Sequence, residues 1–283
     1  MRKNKYACVL TIAGSDSSGG AGIQADIKTI SATGCYAASI ITALTAQNTL
    51  GVQAIHEISS DFVAQQIESV FTDLSIQAVK IGMLYNKKII SVVSFALKKF
   101  KPNWVVLDPV MISKNGYPLF DFDSIEFLKK NLFPYANLIT PNLMEAEKLV
   151  GIAIKNPTQQ ALAAQEIGDQ FHLNVLVKGG HLEGEQSSDV LYLKQEKKCY
   201  WFHAARIQSR HTHGTGCSLS SAIASYLAQE YLLEEAINAA KNYLTNAIEH
   251  GKTKQIGRGC GPVDHFYFLQ NQKREEKKWT NFL

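Results

Sequence analysis

Along this chain, short apolar runs alternate with segments in which apolar residues recur every three or four positions. Runs of strand length fall at 9–13, 39–46, 52–58, 79–83, 104–107, 138–140 and 175–177. The first is expected to stop at Gly14, the run at 104–107 leads into Asp108-Pro109, and Pro141 closes the run at 138–140. A helical period is predicted over 23–32, 61–71, 89–100, 124–132 and 158–171. Gly34 is placed to end the first of these, Asp61 to cap the second and Thr158 to cap the last. In the second, Phe62, Ile67, Val70 and Phe71 are expected on one side.

Strands alternating with helices imply an α/β fold, with a mainly parallel sheet covered on both faces. The rhythm breaks at 189–193 and 199–203, which the polar segment 194–198 joins. That pattern predicts an antiparallel hairpin at the sheet edge. Helices are then expected over 217–227 and 234–250. In open α/β sheets, ligands sit beyond the carboxyl ends of the strands. Gly14-Ser15-Asp16, Gly82-Met83, Asp108-Pro109, Asn142 and Lys178-Gly179-Gly180 all follow predicted strands, which points to one shared cleft.

Composition narrows the class. Of 283 residues, 46% are apolar and 19% charged, ordinary values for a soluble enzyme. No linker rich in Pro, Gly or Ser divides the chain, so residues 1–270 are expected as one domain and 271–283 as a charged tail. The net charge of +4 owes much to Lys273, Arg274, Lys277 and Lys278, and Glu275 and Glu276 interrupt that cluster. This reads as a solvated tail, in which Trp279 and Phe282 either pack on the body or stay free, and not as a nucleic-acid surface. The apolar run near the N-terminus is too short for a membrane span, and no cleavage pattern follows it. The five cysteines (Cys8, Cys35, Cys199, Cys217 and Cys260) form no CxxC pair. That argues against a disulfide framework or a structural zinc site and fits a reducing cytoplasm.

The strongest chemical signal is His211-Thr212-His213-Gly214-Thr215-Gly216-Cys217-Ser218, which leads into a helix. Two glycines around a threonine let backbone N–H groups converge, and the helix start adds positive potential, a nest suited to the charge on a transferred phosphoryl group. Cys217 in the first turn is either a packed small residue or a thiolate able to take a hydroxyl proton. The second signal is Gly14-Ser15-Asp16-Ser17-Ser18-Gly19-Gly20-Ala21-Gly22. It lacks both the dinucleotide-fold glycine spacing and the Gly-Lys-Ser/Thr of a P-loop, so it reads as a substrate loop. Asp26 and Gln47 are either solvated polar residues or a carboxylate and an amide able to pair with an aminopyrimidine. Asp108 and Glu145 offer hard oxygen ligands for Mg²⁺ near phosphates, Glu145 being otherwise a carboxylate in the first turn of a helix. Lys178 is either a surface lysine or a phosphate partner, and Met83 either core or a ring contact. His181, His211 and His213 lack metal-site spacing and read as loop or supporting residues.

Together these segments resemble a known family, the hydroxymethylpyrimidine and phosphomethylpyrimidine kinases of thiamine biosynthesis, within the ribokinase-like superfamily. The similarity rests on residues 11–26, 41–49, Lys80-Ile81-Gly82-Met83-Leu84, 106–111, 139–143, Val177-Lys178-Gly179-Gly180-His181, 211–217 and 257–263. It implies a three-layer ribokinase-like sandwich, often a homodimer, that uses ATP and Mg²⁺ to phosphorylate 4-amino-5-hydroxymethyl-2-methylpyrimidine and then its monophosphate. By the same resemblance Cys217, with Gly214, Thr215 and Gly216, serves catalysis, and Gln47 reads the pyrimidine with Asp26, Gly22, Ala21, Met83 and Val110 nearby. Lys178, Asn142, Thr212 and Lys241 would face ATP and its phosphates, and Asp108 and Glu145 the metal. Much of the superfamily has an aspartate where this chain has Cys217; the pyrimidine kinases typically have cysteine. The competing readings are a pyridoxal or pyridoxamine kinase and a non-catalytic pyrimidine-binding protein on the same fold. A nicotinamide-dependent oxidoreductase is disfavoured by the glycine spacing.

Overall fold

The apolar runs pair into one sheet. The computed structural model of the chain describes residues 6–111, 122–180, 182 and 184–269. Its strands are β1 (Cys8–Asp16), β2 (Tyr36–Asn48), β3 (Gly51–Glu57), β4 (Ala78–Ile81), β5 (Trp104–Leu107), β6 (Leu138–Ile139), β7 (Asn174–Val177), β8 (Gln186–Leu193) and β9 (Lys198–Ala205). They join in the order β3-β2-β1-β4-β5-β6-β7-β8-β9. Neighbours from β2 to β7 are parallel, and the expected hairpin, β8 with β9, forms one antiparallel edge. The other edge is antiparallel too, because β3 folds straight back on β2.

The helices are α1 (Gly22–Ala32), α2 (Ser60–Asp73), α3 (Lys87–Phe100), α4 (Phe122–Asn131), α5 (Leu143–Val150), α6 (Pro157–Phe171), α7 (Thr215–Ala228) and α8 (Leu233–Gly251). Successive strand residues face opposite ways. Leu10, Ile12, Val79, Ile81, Val105 and Leu107 therefore enter a core shared with α2 to α6, while Val9, Ala78, Val106 and Leu138 enter one shared with α1, α7 and α8. Each fully buried Val, Leu or Ile contributes about 1.5–3 kcal/mol, which makes the three layers the natural resting state of this pattern. Among the described residues no helix is long and apolar enough to cross a membrane.

Several boundaries differ from expectation for local reasons. β1 does not stop at Gly14: after an irregularity between Ala13 and Ser15, Ser15 and Asp16 pair with Leu44 and Thr45. Ser59, not Asp61, caps α2 by accepting the Phe62 N–H, and the helix turns Phe62 outward (54% exposed) while Val63 and Ile67 are buried. Asn156, not Thr158, caps α6 and leaves Pro157 at the first helical position, where its missing N–H is harmless. α5 was not expected as an element, being only eight residues long, too short to show a period. His181 and the tail 271–283 lie outside the described residues.

Candidate active site

Strand order reverses between β1 and β4, since β1 continues to β2 on one side and β4 lies on the other. Such a switch point opens a crevice at the carboxyl ends of the strands. A cavity of about 780 Å³ occupies this place, and its lining runs from Gln47 on β2, past Asp108 after β5, to Asp189 on β8.

α7 aims its N-terminus at the middle of the cavity. Gly214 caps it with φ 78°, a left-handed conformation, and a Cβ there would lie 1.9 Å from the Gly20 carbonyl oxygen. Only glycine fits. A Cβ on Gly216 would come within 3.3 Å of Lys178 Nζ and 3.4 Å of Asp108 Oδ2, so the helix start rests on that pair. The first-turn N–H groups of a helix have no intrahelical partner; in α7 the Thr215 N–H turns to the Thr212 carbonyl (3.5 Å), and those that follow it are placed to meet an anion.

Lys178 Nζ donates to Asp108 Oδ1 at 2.7 Å. Burial opposes the Lys178 charge, but Asp108 and Glu145 outweigh it and raise its pKa. Glu145 and Asn142 form a capping box at the start of α5: Glu145 N–H donates to Asn142 Oδ1 (2.9 Å), and Asn142 N–H to Glu145 Oε2 (2.8 Å). Burial pushes the Glu145 carboxyl up to about 7; Lys178 works against that, and Asp108 adds to it. Two buried carboxylates beside one ammonium leave negative charge under-compensated, an environment that a divalent cation on a phosphate would relieve. Among the described residues no cluster of three or more His, Cys, Asp or Glu side chains could hold a metal alone. Asp108 and Glu145 therefore suit a metal that arrives with phosphate oxygens and water, as Mg²⁺ does. Farther along, Lys241 Nζ pairs with Asp189 Oδ2 at 2.6 Å, and Asp189 Oδ1 accepts the Gly179 N–H at 2.9 Å.

Cys217 stands in the first turn of α7 beside these groups. Of the two readings of Cys217, its surroundings favour the neutral thiol over the thiolate. Burial pushes the thiol up to about 11; Lys80 draws it down, while Asp26 and Asp108 add to the rise. Lys80, on β4, was not foreseen as a site residue. Its Nζ donates to both Asp26 carboxylate oxygens at 2.8 Å, with both side chains fully buried. Asp26 also accepts from Thr11 Oγ1 (2.6 Å) and Ser221 Oγ (2.8 Å).

That network corrects one expectation. Asp26 does not line the cavity: its oxygens are taken up by Lys80, Thr11 and Ser221, and it holds Lys80 where a substrate contact was anticipated. The other expected residues do line it, namely Cys217, Gly214, Thr215 and Gly216 at the helix start, and Gln47, Gly22, Ala21, Met83 and Val110 toward β2. Lys178, Asn142, Thr212, Lys241, Asp108 and Glu145 line its other half. Of the histidines, His211 Nδ1 accepts the Gly261 N–H at 3.1 Å, and His213 reaches Asp16 and Gln47. Asp16 organises the glycine-rich loop by accepting from the N–H groups of Ser18, Gly20 and Ala21. Burial works to raise its carboxyl, but hydrogen bonds from His213 and Ser18 outweigh it and hold the pKa down at about 2. A signal for Lys80 existed: a lysine inside an otherwise apolar strand is costly unless it is paired.

The family model for phosphomethylpyrimidine kinase matches residues 16–264. The hydroxymethylpyrimidine/phosphomethylpyrimidine kinase of Salmonella typhimurium is 46% identical over 259 residues, covering 91% of this chain and 97% of that protein. The thiamine biosynthesis bifunctional protein of Geobacter sulfurreducens is 47% identical over 91% of this chain, which spans only 52% of that longer protein. Among solved structures, a phosphomethylpyrimidine kinase from Clostridium difficile is 47% identical with a TM-score of 0.76, covering 86% of this chain and all of that one. An ADP complex of Bacillus subtilis pyridoxal kinase is 33% identical with a TM-score of 0.86, covering 94% of this chain and 99% of that one.

Proposed function

The chain belongs to the phosphomethylpyrimidine kinase family, and from that premise we propose that it transfers the ATP γ-phosphate to 4-amino-5-hydroxymethyl-2-methylpyrimidine and then to the monophosphate formed, in thiamine biosynthesis. One observation carries the reading: a single cavity follows the strand ends with the α7 N-terminus at its middle. From β2 to β7 the sheet order makes five steps of about 4.8 Å each. That length suits a small ring at the Gln47 end and a nucleotide at the Lys178 and Lys241 end, with the reacting phosphate between them.

In this reading Gln47, Met83, Val110, Ala21 and Gly22 hold the pyrimidine. The N–H groups of the Gly214–Gly216 turn, together with Lys178, face the charge on the transferred group. Asn142, Thr212 and Lys241 serve the nucleotide. Asp108 and Glu145 would hold Mg²⁺, which supplies charge neutralisation across the phosphates. Phosphoryl transfer asks a protein for positioning and charge stabilisation more than for a strong base. A thiol raised to about 11 is compatible with that demand: Cys217, as a neutral thiol, orients the substrate hydroxyl, and the hydroxyl proton leaves late in the transfer to a phosphoryl oxygen. The expected homodimer belongs to the same proposal, and sedimentation of the chain tests it.

The likeness to the Bacillus subtilis pyridoxal kinase supports one alternative, phosphorylation of pyridoxal. The test is ADP release with Mg-ATP, offering the hydroxymethylpyrimidine, its monophosphate and pyridoxal in parallel. Turnover of both pyrimidines is expected. Turnover of pyridoxal alone moves the function to vitamin B6 salvage, and binding without ADP release removes the kinase reading.

A further inference from the structure

Gln47 is held at every polar point except those that face the cavity. Ser17 Oγ donates to its carbonyl oxygen (2.8 Å) and accepts its N–H (2.9 Å). Its side-chain amide meets Thr45 Oγ1 at 3.1 Å and His213 Nε2 at 3.2 Å. The two ends of an amide are told apart only by the hydrogen bonds they make.

With Nε2 toward His213 and Oε1 toward Thr45, two conflicts arise. His213 Nε2 also lies 2.8 Å from Asp16 Oδ2. Asp16 is an ionised acceptor that already takes the N–H groups of Ser18, Gly20 and Ala21, so the ring nitrogen facing it must carry a proton. A protonated Nε2 cannot also accept from an amide NH₂. At the other end, the single Thr45 hydroxyl proton would have to serve both Gln47 Oε1 and the Ser15 carbonyl, which lies 2.8 Å from the same oxygen. Turning the amide over removes both conflicts at once. The amide oxygen then shares the His213 N–H with Asp16. The NH₂ group donates to Thr45 Oγ1, which keeps its proton for Ser15.

We propose that Asp16 and His213 are positioning residues for substrate choice: they lock the Gln47 amide in one orientation, with its oxygen on the His213 side and its NH₂ on the Thr45 side. The lock leaves one acceptor site on the oxygen and one N–H on the nitrogen, and Gln47 lines the cavity. Side by side, these match a ring that offers an exocyclic N–H donor next to a ring-nitrogen acceptor, the 4-amino and N3 edge of an aminopyrimidine. They mismatch the 4-oxo counterpart, whose edge has acceptor and donor exchanged. A freely turning amide would serve both edges. Gly20 belongs to the device as well, since a Cβ there would lie 2.5 Å from His213 Cδ2 and push the ring away.

The substrate half of this inference rests on the proposed kinase reading; the orientation of the ring and amide does not. Two measurements on the full chain therefore test it. The first is the ratio of kcat/KM for the hydroxymethylpyrimidine to that for its 4-oxo analogue, in the wild type and in His213→Ala and His213→Gln. His213→Ala should lower the ratio about tenfold or more, the discrimination one oriented hydrogen bond supplies. His213→Gln, which restores an N–H donor, should recover much of it. An unchanged ratio in His213→Ala overturns the lock, whatever happens to kcat itself. The second is the ¹H–¹⁵N correlation pattern of the His213 ring in the wild type. A proton on Nε2 is expected, and a bare Nε2 overturns the proposal even if no variant folds. If the wild type phosphorylates neither ring, the kinase reading fails while the ring measurement still decides the orientation.

Discussion

Beneath α2 to α6 the sheet presents hydrocarbon: Leu10, Ile12, Val79, Ile81 and Leu107 share one core with Val63, Ile90 and Ile167. On the opposite face the next positions in the same strands are Thr11 and Lys80, both fully buried. Over them lie Asp26 of α1 and Ser218, Ser220 and Ser221 of α7, also buried. One face is a conventional core; the other carries a polar island at the end where the cavity opens. The island does two things. Its small serines let α7 settle over β1, β4 and β5, which brings Gly214–Cys217 to the strand ends. Its ion pair fixes a cation beside Cys217. The apolar face stabilises the layers, and the polar face sets where the start of α7, Gly214–Cys217, stands.

The largest test of that division is Lys80→Met, which strands the Asp26 carboxylate in the interior. Removing one partner of a buried pair is expected to cost about 3–5 kcal/mol, read from urea denaturation, and the double variant Lys80→Met/Asp26→Leu should recover most of it. A loss under about 1 kcal/mol would mean that the island is not a desolvated ion pair. Next comes Cys217→Ala, expected to lower turnover roughly 100-fold, the scale of losing a group that orients the reacting hydroxyl. Pyrimidine affinity should hold, and unchanged turnover would remove Cys217 from the chemistry.

Asp16 gives a smaller and pH-dependent effect. Its carboxyl is held at about 2 against an ordinary 3.8. A depressed carboxyl adds stability above its unfolded pKa and loses it as pH falls through the folded value. Wild type should exceed Asp16→Asn by about 2 kcal/mol at pH 6. The gap should close between about pH 4 and pH 2; a constant gap would make the Asp16 contribution steric. Smallest is Ile90→Val on the apolar face, expected to cost about 0.5–1.5 kcal/mol in thermal or urea unfolding with turnover intact. A marked loss of turnover there would erase the distinction between the faces.

Much of this molecule was legible in its sequence because the determining physics is local. The alternation of short apolar runs with helical periods is a direct record of what must be buried, and it foretold the parallel sheet, the β8–β9 edge hairpin and the shared cleft at the strand ends. The glycines of 214–216 announced a tight turn at a helix start because φ and the absence of Cβ belong to the residue itself. The errors of boundary at Ser59 and Asn156 are of a few residues, where several polar side chains compete for one cap.

What the sequence could not decide is which polar groups meet. Asp26 has the residue type of a substrate contact and lies one helical turn past the glycine-rich loop, but helix α1 turns it inward to a lysine 54 positions away. His213 read as a loop or supporting residue, and only the fold set it against Asp16, 197 positions earlier. Cys217 sits where a helix start favours a thiolate, yet burial raises its pKa to about 11. Identity, spacing and backbone freedom are properties of the chain. Desolvation and the pairing of distant charges arise only when layers close over them, so the tertiary structure alone decided the surroundings of Asp26, Lys80, His213 and Cys217.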